Sequence, residues 1–374
     1  MNEVGVYVHI PFCVKRCLYC DFISSTKRDL VDPYLKALVK DVKSSRFLKD
    51  RSVKTLYFGG GTPSLVSSSF IERVIIEISK MAKLEPEEIT IELNPESTDP
   101  DKVKDYIGIG INRASLGIQA FDDEVLKVSG RPHGTEEILK ASKILRENFK
   151  NLNFDFIVGL PNYTIETVEK NLRLIEMFEP EHVSVYILDL DEDTPLKKLV
   201  DSGRLTVPEN LDLLFDEMME SLESMGYRRY EISNFSKPGF ESKHNLIYWK
   251  NLDYLGFGVS AGGHVGRYRY VKTMSIERYI EDPRSNSYES WNDDLQEFAE
   301  TLFMGLRLVE GLKIDDLRDR FGDLIDDFLS YIHDSSYFEV NDKIKLTKSG
   351  IDRSRESLGM VVEWLYNRRE GGAF

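Results

Sequence analysis

A chain of 374 residues is long enough for one large domain and a smaller one, and 41% hydrophobic with 30% charged residues is the make-up of an ordinary globular protein. A net charge of −15 excludes a protein that grips nucleic-acid phosphates over a broad face, because that needs a basic surface. No apolar run approaches the roughly 18 residues that cross a bilayer, and the first residues enter a strand pattern directly. Neither a membrane helix nor a signal peptide is expected, which leaves at most a peripheral membrane contact.

In chain order, residues 5–10 read as a strand that ends at a loop holding every cysteine of the sequence. Residues 30–48 carry Tyr34, Leu35, Leu38, Val39 and Val42 at helical spacing. Strands then follow at 53–58, 88–93, 113–118, 154–158 and 182–188, separated by helices at 70–82, 101–107, 122–128, 136–148 and 165–178. Such alternation implies right-handed β-α units around a parallel sheet, an α/β fold. Polar, glycine-rich sequence follows nearly every strand: Gly59-Gly60-Gly61-Thr62-Pro63, Asn94-Pro95, Gln119 and Gly159-Leu160-Pro161. In parallel α/β folds the site forms at the carboxyl ends of the strands, so these scattered motifs are expected to converge.

After about residue 201 the rhythm weakens. A helix at 210–225 and a strand at 227–232 precede the dense run His244-Asn245-Leu246-Ile247-Tyr248-Trp249. From Trp291 onward the pattern is helical (295–308, 314–321, 324–332), then a hairpin about Asn341-Asp342, then a last helix at 350–364. Helices followed by a hairpin resemble a winged helix, but 11 Lys and Arg against 18 Asp and Glu from Trp291 to the end reject DNA reading. The expected organisation is residues 1–205 as a (β/α) domain, 206–290 as its extension, and 291–374 as a mainly helical, winged-helix-like domain.

Cys13, Cys17 and Cys20 stand at the spacing C-x3-C-x2-C. Three grouped thiols in a chain otherwise free of cysteine point to a metal site in a reducing compartment, and the expected location is the cytoplasm. A fourth thiolate does not exist. Either another residue closes the site, as in a Cys3His zinc site with His9 nearest, or a metal position stays open for a small molecule, as in a [4Fe–4S] cluster with three protein ligands. Consecutive glycines after the second strand let backbone amides approach an anionic or zwitterionic group. Glu92 and Asp155 are carboxylates inside apolar strands, where a charge needs a partner or a task.

The flanks Tyr7-Val8-His9-Ile10-Pro11-Phe12-Cys13 and Tyr19-Cys20-Asp21-Phe22 closely resemble the radical S-adenosylmethionine (SAM) enzymes. Within them the sequence resembles the branch that joins the oxygen-independent coproporphyrinogen III dehydrogenases and the HemW-type haem chaperones. The resemblance implies an open six-strand (β/α) barrel and a [4Fe–4S] cluster on Cys13, Cys17 and Cys20, with SAM on the fourth iron. It further implies that Gly60, Gly61 and Thr62 hold the methionyl ammonium group. Glu92, Gln119, Arg131 and Asp155 would hold the sugar and carboxylate, Tyr7 would contact the nucleotide, and the Tyr19 backbone would approach adenine.

The run from His244 to Trp249 looks like the motif that marks the haem chaperones, and an imidazole beside two amphipathic aromatics suits a flat iron macrocycle. A satisfied histidine beside a core tryptophan is the plainer reading of the same residues. His264 is a second haem-ligand candidate. The dehydrogenases carry a further cysteine two places after the third, where this chain has Phe22. The expected function is therefore a haem chaperone that passes haem to an acceptor protein, with decarboxylation of coproporphyrinogen III as the alternative.

Overall fold

The computed structural model describes residues 3–370. Its first half is built from strands β1 (Glu3–Ile10), β2 (Ser52–Gly60), β3 (Lys83–Leu93), β4 (Arg113–Gln119), β5 (Leu152–Val158) and β6 (His182–Ile187). Between them run helices α1 (Val31–Ser44), α2 (Ser68–Met81), α3 (Pro100–Gly108), α4 (Asp123–Val128), α5 (Thr135–Asn148) and α6 (Ile165–Phe178). The six strands pair in parallel in sequence order and β1 does not meet β6, so the barrel is open.

Alternation along each strand explains the layers. Val6, Val8, Leu56, Phe58, Ile89, Ile91, Ala114, Leu116, Phe154, Phe156, Val183 and Val185 are buried in one apolar core that also takes Leu38, Val42, Ile71, Val74, Leu145 and Leu174 from the helices. The intervening residues point the other way and are polar. Ser115 donates to Asp155 (2.7 Å), Asn153 donates to Ser115 (2.7 Å) and Ser184 (3.1 Å), and His182 meets Asn153 at 2.6 Å. A side-chain period of two thus gives a greasy outer face and a hydrogen-bonded polar interior.

The remainder of the first core follows as α7 (Pro195–Asp201), α8 (Leu211–Ser224), β7 (Arg228–Arg229), β8 (Asn234–Ser236), α9 (Lys243–Trp249), β9 (Tyr254–Phe257), β10 (Gly262–Val265), β11 (Tyr268–Lys272), α10 (Ile276–Glu281) and β12 (Asn286–Trp291). Most of the strand expected at 227–232 is irregular. β8 and β7 extend the sheet antiparallel beyond β6. On the other side β9 lies parallel to β1, a seventh parallel strand, and β10, β11 and β12 continue it antiparallel. Residues of both stretches, from Phe215 to Tyr279, belong to the same core as the barrel. A buried ion pair fixes the junction: Lys272 Nζ lies 2.6 Å from Asp41 Oδ1, and the Tyr279 hydroxyl donates to Asp41 Oδ2 at 2.9 Å.

A second core begins at Phe298 and ends at Trp364. It is built by α11 (Asp294–Gly305), β13 (Leu312–Lys313), α12 (Ile314–Phe321), α13 (Leu324–Tyr331), β14 (Phe338–Val340), β15 (Lys343–Leu346), α14 (Lys348–Asp352) and α15 (Ser354–Glu370). The hairpin β14–β15 gains β13 as a third strand. The last helix of the sequence reading is two helices, α14 and α15.

Candidate functional site

At the carboxyl ends of β1–β6 lies a cavity of about 400 Å³. Cys13, Cys17, Cys20, Tyr19, Gly60, Gly61, Thr62, Glu92, Gln119, Arg131 and Asp155 all line it. Eleven residues spread over 143 positions of sequence therefore meet because the parallel strands all end on one side.

The thiols sit in a loop pinned at both ends: Cys13 N donates to Ser25 O (3.0 Å), and Leu18 N donates to Ser129 O (3.1 Å). Among the described residues no three His, Cys, Asp or Glu side chains converge on a point where one metal ion would sit. Zinc draws its ligands onto one ion, whereas in a cubane each cysteine takes a different iron. His9 is no fourth ligand, since Nε2 meets Ile23 O at 3.1 Å and Nδ1 meets the Tyr7 hydroxyl at 3.1 Å. Burial pushes the Cys20 thiol up to about 11 and raises that of Cys13, so a cluster has to displace protons to bind there.

The glycine loop corrects one expectation. Its amides are already used: Gly60 N donates to Glu92 Oε2 (3.0 Å), Gly61 N to Ile10 O (2.9 Å) and Thr62 N to Phe12 O (2.8 Å). No amide nest for an anion is left. Gly60 has φ +111°, and a Cβ there would come within 2.5–2.8 Å of the His9 ring. Glycine is needed for the packing of this turn as much as for ligand approach. Thr62 Oγ1 reaches Cys13 Sγ at 3.6 Å and accepts from Asn94 Nδ2 at 3.0 Å.

Glu92 is held by the Tyr57 hydroxyl, which donates to Oε1 at 2.8 Å. Desolvation pushes its carboxyl up to about 7; the Tyr57 hydrogen bond opposes this, and the nearby charge of Asp155 adds to it. Gln119 adopts φ +67° at a bulge at the end of β4, an uncommon conformation for a side chain other than glycine. Arg131 spans the site: Nη1 lies 3.3 Å from the Tyr19 hydroxyl and 3.6 Å from Cys17 Sγ, and Nη2 donates to Asn94 Oδ1 (3.0 Å) and Gly117 O (2.9 Å). Its Nε is buried without a partner among the described residues, a spare donor next to the thiols.

Two expected ligand contacts lie elsewhere. Tyr7 does not line the cavity; its ring stands 6.0 Å from that of Tyr57, one layer below. His244 is 1% exposed and carries no open nitrogen: Nδ1 lies 2.7 Å from Thr55 Oγ1 and Nε2 lies 2.7 Å from the Tyr248 hydroxyl. Burial pushes its imidazole down to about 3, so it stays neutral. A haem iron would have to displace one of these two hydroxyl partners to reach the imidazole. His264 is also buried, with Nε2 against Gly266 O.

Sequence reading missed Tyr57, Asn94 and the Glu96–His133 pair (Oε2 to Nδ1, 2.6 Å), whose other ring nitrogen is 3.5 Å from Arg131 Nη2. Their signal was position: Tyr57 alternates with Gly59, Asn94 and Glu96 follow β3, and His133 follows Arg131 by two.

A model of the radical SAM superfamily matches residues 7–175, and one of the HemN C-terminal domain matches residues 293–335. The heme chaperone HemW of Bacillus subtilis is 33% identical over 335 residues, 86% of this chain and 88% of the relative. The heme chaperone HemW of Escherichia coli is 36% identical over 301 residues, 76% of this chain and 79% of the relative. The chain belongs to the HemW-type haem chaperone family of the radical SAM superfamily. The cofactors of that superfamily, a [4Fe–4S] cluster and SAM, fit a cavity lined by all three thiols together with Glu92, Arg131 and Asp155. In structure the chain resembles HemN, the coproporphyrinogen III oxidase of Escherichia coli, with TM-score 0.83 over 96% of this chain and 90% of that one. At 22% identity that likeness shows the shared fold. No helix among the described residues is long and apolar enough to cross a membrane.

Proposed function

We propose that the protein binds haem and passes it to an acceptor protein in the cytoplasm, and does not decarboxylate coproporphyrinogen III. The observation that carries this reading is relatedness along most of the chain to proteins named heme chaperone, 33–37% identical over 75–86% of this chain in the first five. Phe22, 56% exposed on the wall of the cavity, supports it, since it stands where the dehydrogenases resemble each other in a further cysteine. Cys13, Cys17 and Cys20 would hold the cluster. Gly60, Gly61 and Thr62 would receive the SAM ammonium group, Arg131 its carboxylate, and Glu92, Gln119 and Asp155 its sugar hydroxyls. Bound SAM on a reduced cluster supplies radical chemistry in this superfamily; the residues themselves position and desolvate it. Haem titration and porphyrinogen turnover, run on one reconstituted sample, test the reading.

A further inference from the structure

Inward side chains of β4, β5 and β6 form a hydrogen-bonded chain that ends on Asp155. Asn153 Nδ2 lies 2.8 Å from Asp155 Oδ1 and 2.7 Å from Ser115 Oγ, and Ser115 Oγ donates to Asp155 Oδ2 at 2.7 Å. Behind Asn153, its Oδ1 meets His182 Nδ1 at 2.6 Å, and His182 Nε2 meets the Tyr230 hydroxyl at 2.9 Å. Asp155 and Ser115 line the cavity, whereas Asn153, His182 and Tyr230 stand behind its wall.

The place of every proton in this chain is determined. A carboxylate accepts, so the Asn153 amide turns Nδ2 toward Asp155 and Oδ1 toward His182. Facing that oxygen, His182 Nδ1 has to carry the ring proton, which leaves Nε2 bare. The Tyr230 hydroxyl must then donate to Nε2, and its own oxygen accepts from Ser242 N at 3.2 Å. His182 is fully buried. Desolvation, followed by the Arg113 charge, holds its imidazole well below the usual range, so no second proton binds. All donors therefore point one way, from Tyr230 toward Asp155, and bonds so aligned strengthen one another.

Ser115 and Asn153 each occupy one oxygen of Asp155, and the remaining lone pairs are left to accept from a ligand in the cavity. The far end of the chain is fixed at the second core. Val309 N donates to Tyr230 O at 3.0 Å, Glu231 bridges to Leu308, and Val309 packs against that core.

We infer that Tyr230, His182 and Asn153 are positioning residues of the nucleotide site: their one-way chain of donors holds Asp155 as an acceptor for the sugar hydroxyls of SAM. The inference rests on the proposed role of Asp155.

The test uses full-length protein with its cluster reconstituted, as wild type, Tyr230→Phe, His182→Phe and His182→Gln. SAM and its analogue lacking both sugar hydroxyls are titrated by calorimetry, and iron content is measured on each protein. Wild type is expected to prefer SAM. Tyr230→Phe should bind SAM about threefold more weakly and His182→Phe about tenfold, with iron content and analogue affinity unchanged. His182→Gln, whose amide offers a donor and an acceptor, should recover most of the preference. An equal loss for both nucleotides would show a merely structural effect and overturn the inference. So would unchanged SAM affinity in Tyr230→Phe and His182→Phe. If His182→Phe does not fold, Tyr230→Phe carries the test alone, with the same readings. Wild type that binds both nucleotides alike would overturn the sugar assignment of Asp155, and this inference with it. Wild type that prefers SAM but binds no haem would overturn the chaperone reading alone.

Discussion

Arg131 Nη1 lies 3.6 Å from Cys17 Sγ, so the guanidinium proposed to receive the SAM carboxylate also touches a proposed cluster ligand. The same guanidinium ties Asn94 after β3 to Gly117 of β4. Cluster loop, strand ends and nucleotide cavity are thereby joined through one planar, permanently charged group.

Arg131→Lys keeps the charge and loses the fork. SAM affinity should fall about tenfold, and the protein should lose about 2 kcal/mol of stability as Asn94 Oδ1 and Gly117 O lose their donor. Calorimetry of SAM binding and urea unfolding measure the two effects.

Cys17→Ala should abolish the iron–sulfur absorbance, because two thiolates do not retain a cubane. Metal analysis of anaerobically prepared wild type should give iron, about four per chain. Stoichiometric zinc would contradict the assignment of Cys13, Cys17 and Cys20.

Glu92 gives a pH signature. Its carboxyl is raised from 4.5 to about 7 in the folded protein, so between those values the unfolded chain releases a proton that the native state keeps. Native stability therefore falls as pH rises through this window, and the loss is complete above about 7. Glu92→Gln removes the dependence. Before cofactors are added, the variant should be more stable than wild type above that pH, on the order of 1–2 kcal/mol after allowing for solvent in the cavity, and equal to it below 4.5. Thermal melting across pH reads the difference.

Trp364 anchors the second core. It is 3% exposed, its ring lies 5.3 Å from Phe298 and 5.5 Å from Phe328, and Nε1 donates to Asp327 Oδ2 at 2.9 Å. Trp364→Ala should cost about 3–5 kcal/mol and lower the melting of residues 298–364 first, with cluster loading preserved. Hydrogen exchange resolves which core opens.

The parallel strands were legible because their outward residues are β-branched and aromatic at every second position, and the shared strand ends then brought the cysteines, Gly60, Glu92, Gln119 and Arg131 together. His244 was legible as a motif but not in its orientation. Which way α9 turns its first residues depends on Glu88 and Gly5, each more than 150 positions away. The pairing of β9 with β1 is equally remote in sequence, so no local pattern announces it. The state of the glycine-loop amides depended on the partners Ile10, Phe12 and Glu92, which the run of glycines alone does not reveal.

One sample of reconstituted, anaerobic, reduced wild-type protein can be titrated with haem and, in parallel, supplied with SAM and coproporphyrinogen III. The account predicts saturable haem binding, transfer of that haem to a haem-free acceptor protein, and no protoporphyrinogen beyond background. Multiple turnovers of coproporphyrinogen III without haem binding would contradict it.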